Sequence, residues 1–146
     1  MQRLIDDAGL GARVTLDSAG TGGWHAGELA DPRTRAAAAQ RGIAITHRAR
    51  QFVPADLDRF DLVIAMDRMN LAALRAMTGA RPAPELHLLR AFEAGPADAT
   101  AGDRAADVPD PYPGGAAGFE HVLELCDRAC RGLVAYVRDH ALLASP

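Results

Sequence analysis

Lysine is missing from this 146-residue sequence, so all 16 cationic side chains are arginine. No run of them could track a phosphate backbone, and with a formal net charge of −3 and a pI near 5.9 nucleic acid is excluded as the default partner. Cysteine is almost as scarce. The two present, Cys126 and Cys130, lie close together late in the chain and do not make a secreted disulfide framework. No apolar stretch approaches the roughly 20 residues of a membrane-spanning helix. Gly-x-Gly-x-x-Gly spacing is also missing from the glycine-rich loop at Ser18–Gly23, and no helix opens directly after it, so phosphate cradling by that loop alone is a weak signal. These absences describe a cytoplasmic, soluble protein with no membrane partner. With 49 % hydrophobic residues, the length suits one domain over residues 1–146 and is too short for two.

What is present centres on Asp107-Val-Pro-Asp-Pro-Tyr-Pro-Gly-Gly115. Prolines at 109, 111 and 113 fix three φ angles and hold the preceding residues extended, while Gly114 and Gly115 let the chain turn away. Asp110 thus sits on a stiff arm beside the flat, hydroxyl-tipped ring of Tyr112. Such an acid suits protonation of an aromatic leaving group, because a phenolate leaves poorly until its oxygen receives a proton. A plain Asp-Pro turn between helices is the other reading of the same residues.

From the start, residues 1–8 form a helical run with Leu4, Ile5 and Ala8 on one face and Gly9 as its stop. No capping residue or strand precedes it, and it reads as the second half of a helix. Arg13–Asp17 alternates as a short strand into the glycine loop. Trp24, in polar glycine-rich surroundings, is either a ligand wall or a local packing residue. Asp31-Pro32 starts a helix that Gly42 closes. His47, Arg48 and Arg50 make a small basic cluster facing either an anion or water, and Asp56–Phe60 a short helical turn.

Asp61–Met66 is a continuous apolar run, the pattern of a strand covered on both faces in a parallel sheet. Asp67 follows at its carboxyl end and caps a helix over 68–78; with Ser18 it points to the crevice where parallel sheets bind ligands. Glu85–Leu89 is a third strand, and 90–107 reads as a long polar connection. Phe119, Val122, Leu123, Cys126, Cys130, Leu133, Val134 and Val137 recur at helical spacing, which gives both cysteines a packing role. Alternating strands and helices predict a three-layer α/β fold with a small parallel sheet flanked by helices.

Several segments together, in order and at matching spacing, resemble the low-molecular-weight protein-tyrosine phosphatases. They are Asp17-Ser-Ala-Gly-Thr21, Trp24-His-Ala-Gly27, Asp31-Pro-Arg33, Gly42-Ile43 with His47–Gln51, Phe60–Asp67 with Asn70-Leu71, and Asp107–Tyr112. The resemblance implies a four-stranded parallel sheet with a phosphate loop after its first strand and a phosphocysteine intermediate, with no metal or cofactor. It implies that Asp110 is the general acid and then base, that Trp24 and Tyr112 flank the phosphotyrosine ring, and that Ser18, His47 and Asp67 support the phosphate loop. The implied substrate is a phosphotyrosine protein or a small aryl phosphate.

The family's signature of cysteine, five residues and arginine does not occur in this sequence: six positions beyond Cys126 is Gly132, and six beyond Cys130 is Tyr136. The expectation is that about twenty residues carrying nucleophile, arginine and first strand would precede Met1 by the family pattern. A polypeptide without them is expected to be inactive and to self-associate through unpaired sheet edges. Two alternatives share the fold: a thiol-dependent arsenate reductase, disfavoured because residues 91–107 hold no cysteine, and a non-catalytic phosphotyrosine-binding module. Pro113 stands where the family commonly has a second aromatic, leaving one wall of the cleft and any regulation through that residue open.

Overall fold

A computed structural model describes residues 1–79, 84–93 and 107–139. The six main elements are helix α1 (Gln2–Asp7), helix α2 (Pro32–Gln40), strand β1 (Leu62–Ala65), helix α3 (Arg68–Thr78), strand β2 (Glu85–Leu88) and helix α4 (Gly115–Asp139). The boundaries follow local chemistry. The Asp31 carboxylate accepts from the Arg33 N–H at 2.8 Å to cap α2, with Pro32 in the first turn, and the chain leaves that helix through Gly42 at φ 69°. Asp67 caps α3 in the same way, accepting from the Asn70 N–H at 2.6 Å. Gly9, at φ 71°, turns the chain away just beyond α1.

β1 and β2 pair in parallel, with Leu62 opposite Glu85 and Ala65 opposite Leu88. The period-two geometry of β1 divides its apolar run between two helical layers. Val63 and Ala65 pack with Leu71 and Leu74 of α3, while Leu62 and Ile64 lie against a cluster containing Ala129, Leu133, Tyr136 and Val137 of α4. Ile5 of α1 and Leu10 join Val134 in a third cluster on the α4 side. Arg41, following α2, reaches Glu120 of α4 at 2.7 Å. The result is an α/β sandwich, a small parallel sheet between helical layers, as expected.

Three local expectations need correction. Residues 13–17 form no strand: Arg13 closes a turn, its N–H donating to the Leu10 carbonyl, and no ladder partner lies beside 14–17 among the described residues; the nearest pairing is an isolated parallel bridge between Gly20 and Gln51. The helical turn expected at Asp56–Phe60 begins earlier, as a 3-10 turn over Pro54–Asp58, since proline is well suited to its first position. The start of the expected polar connection is core: Leu89–Phe92 forms a 3-10 turn in which Leu89, Ala91 and Phe92 are buried, and Phe92 meets Tyr136 edge-on at 5.2 Å. The remainder of that connection, 94–106, lies outside the described residues.

Both cysteines fall on α4 as expected, half-buried against the core. Burial pushes the Cys126 thiol up to about 11, with further opposition from the neighbouring Cys130, and burial raises Cys130 as well. That is the opposite of what a nucleophilic thiol requires.

Candidate active site

The arm carrying Asp110 is fastened at its base to the carboxyl end of β1. The Val108 N–H donates to the Met66 carbonyl at 2.9 Å, one residue before the Asp67 cap. Asp107 accepts from the Arg68 backbone N–H at 3.0 Å and from its guanidinium at 3.1–3.2 Å, while Arg90 donates to the Asp107 carbonyl at 3.1 Å. The Arg68 guanidinium holds the Asp107 carboxyl below the usual carboxylate range. Strand end, helix start and acid arm are therefore tied together by hydrogen bonds.

At the tip, Asp110 is exposed and accepts from the Tyr112 N–H at 2.9 Å, an Asx-type turn stiffened by Pro111. Tyr112 begins a 3-10 turn, Tyr112–Gly114, that leads into α4. Its ring lies 5.9 Å from that of Phe119, and the Arg33 guanidinium stacks against both, 4.6 Å from the Tyr112 centroid and 4.8 Å from that of Phe119. The Asp31 carboxylate, facing the phenol, raises the Tyr112 pKa. One side of Tyr112 is thus occupied by Arg33.

Trp24 is 83 % exposed, with its ring over the glycine loop: a side chain at Gly22 would come within 2.5 Å of it. That loop is held by hydrogen bonds from the Gly20 N–H to Arg50 and from the Phe52 N–H to Gly20, at 2.9 and 2.8 Å. Ser18 follows Asp17, whose carboxylate accepts from the Ser18 N–H at 2.7 Å and from Arg50. Ser18 and His47 are exposed, and no hydrogen bond joins either side chain to the Asp110 arm among the described residues.

The basic cluster is neither a free anion site nor simply solvated at Arg48 and Arg50. Arg48 donates to the Gly27 carbonyl at 2.7 Å. Arg50 bridges Asp17 at 3.0 Å and Asp56 at 2.8 Å, and Asp56, buried, also accepts from the Val53 N–H. Arg50 holds both carboxyl groups below their ordinary range. Asp56 lies six residues beyond Arg50, whereas spacing alone hid the Asp17 half of this pairing because 33 residues separate the partners. Arg33 and Arg68 were missed for the same reason, although the Asp-Pro-Arg run and the acid at 107 were visible signals. Among the described residues, no group of three or more His, Cys, Asp or Glu side chains is placed to hold a metal ion.

A parallel sheet between helical layers, with a stiff acid arm at its strand end, defines an α/β protein of the class whose ligands bind at strand carboxyl ends. The chain belongs to the family described as low molecular weight phosphotyrosine protein phosphatase, whose model matches residues 1–142. It is 51 % identical over 136 residues to the low molecular weight protein-tyrosine-phosphatase of Streptomyces coelicolor, covering 92 % of this chain and 80 % of that one. Among solved structures it is similar to a protein tyrosine phosphatase from Entamoeba histolytica, with a TM-score of 0.80 at 28 % identity over 94 % of this chain and 84 % of the other. YfkJ from Bacillus subtilis gives a TM-score of 0.79 at 34 % identity, covering 94 % and 81 %.

Proposed function

We propose that this chain is the scaffold of a protein-tyrosine phosphatase acting on phosphotyrosine or a small aryl phosphate, with Asp110 as the acid that protonates the departing phenol and then activates water. Trp24 and Tyr112 flank the aryl ring, and Ser18, His47 and Asp67 support the phosphate-binding loop from behind. The observation that carries this reading is the fastening of the Asp110 arm to the carboxyl end of β1 through Val108 and Met66. An acid held there needs little ordering when a substrate arrives, and such general acid help is worth roughly 10²–10⁴-fold.

The same reading assigns no nucleophile to these 146 residues. Neither cysteine has an arginine six positions on, both lie within α4, and both thiols are pushed up by burial. Backbone N–H groups inside a helix are already spent on its own hydrogen bonds, so they cannot gather around an anion. A polypeptide of this sequence therefore binds no phosphate productively and turns nothing over.

A gain-of-function experiment tests the assignment. Placing ahead of Met1 a segment that carries the family's Cys-x5-Arg signature is expected to create para-nitrophenyl phosphate turnover, which Asp110→Asn then lowers by about 10²–10⁴-fold. A folded chimera whose turnover is indifferent to Asp110→Asn would contradict the role given to this acid.

A further inference from the structure

Capping α2 requires only that Asp31 accept the Arg33 backbone N–H, yet the same carboxylate also receives the Arg33 side chain. The Nε donates to one oxygen and an Nη to the other, both at 3.0 Å. This fork fixes the guanidinium, whose central carbon lies over the Tyr112 ring at 4.6 Å and the Phe119 ring at 4.8 Å. The helix packs closely under the arm at this point: a side chain at Gly118 would come within 2.7 Å of the Pro111 carbonyl. Tyr112 in turn carries the N–H that binds the Asp110 carboxylate.

We propose that Arg33 is the positioning residue of the acid arm. Forked by Asp31 and stacked on Tyr112 and Phe119, it fixes the Tyr112 wall and, through the Tyr112 backbone, the direction of the Asp110 carboxylate. The inference deepens the proposed function and rests on its assignment of Asp110 and Tyr112. Because Arg33 covers one side of Tyr112, an aryl substrate meets the wall from the other. Lysine cannot replace it, since an ammonium has neither the planar fork nor the flat face.

The test uses spectra of the whole polypeptide and needs no turnover, so its outcome is independent of whether the phosphatase assignment holds. Tyr112 and Tyr136 are the two tyrosines, so 3-fluorotyrosine labelling gives one reporter on the arm and one control in the core. Arg33→Ala and Arg33→Lys are each expected to move the Tyr112 fluorine line towards that of free fluorotyrosine and to leave the Tyr136 line in place. In nitrogen–proton spectra, the Tyr112 amide, hydrogen-bonded to Asp110 in the parent, should move and exchange faster with solvent in both variants. An unmoved Tyr112 line and amide in Arg33→Ala, or full restoration by lysine, would overturn the assignment. Arg33→Gln, which retains much of the side-chain stem, is the variant to use if the others fail to fold. Joint displacement of both tyrosine lines in every variant would also overturn it, making Arg33 a residue of general stability.

Discussion

Arg50 holds the loops around residues 17–21 and 50–56 by bridging the exposed Asp17 and the buried Asp56. Asp56→Ala removes one of the acceptors of the Arg50 guanidinium, which keeps Asp17, and leaves the Val53 N–H without its carboxylate acceptor; it is expected to cost about 2 kcal/mol, read from the urea midpoint. Both carboxyl groups titrate lower in the folded chain than in the unfolded one. Their contribution to stability is therefore complete above the unfolded value of about 4 and is lost as pH falls through the folded values. The parent should lose more stability between pH 6 and pH 3 than Asp56→Ala does; equal losses would remove Asp56 from that account. The cysteines obey the opposite sign. With the Cys126 thiol at about 11 and Cys130 also raised, alkylation by iodoacetamide at pH 7 should be slower than that of free cysteine and accelerate as pH rises. Fast labelling at pH 7 would show that burial does not suppress the thiolates.

At the scale of elements, α4 contains a glycine where helix propensity alone favours alanine by about 1 kcal/mol. At Gly132 packing reverses that preference: an added Cβ would lie 1.8 Å from the Phe92 carbonyl, a contact that only backbone displacement could relieve. Gly132→Ala is expected to lower the melting temperature and displace the buried Leu89–Phe92 turn from α4. An unchanged or higher melting temperature would refute that contact. The ends of α2 and α3 were legible because Asp31, Pro32, Gly42 and Asp67 act on backbone groups within a few residues of themselves. Residues 13–17 were not, because an alternating pattern proposes a strand but only a neighbour can supply its ladder. Phe92 was missed because its packing partner Tyr136 is distant in sequence.

For the whole molecule, the sandwich could be inferred from the apolar run of β1 and the long periodicity of α4, whereas the arginine partnerships appeared only when distant loops met. Asp110 and Tyr112 are two residues apart in sequence, so their pairing was readable; Arg33 reaches Tyr112 from the start of α2. Among the described residues, β1 has a ladder partner on one side, β2. A strand edge without a partner favours pairing with another chain, so concentration-dependent association is expected in sedimentation. A monomer at all concentrations would contradict that expectation. The central proposal is that Asp110 is a phosphatase's proton donor and that neither cysteine of these 146 residues is the thiolate it would serve. The most direct test is turnover of para-nitrophenyl phosphate by pure polypeptide of these 146 residues: no saturable rate above the uncatalysed reaction is predicted, and saturable hydrolysis abolished by Asp110→Asn would contradict it.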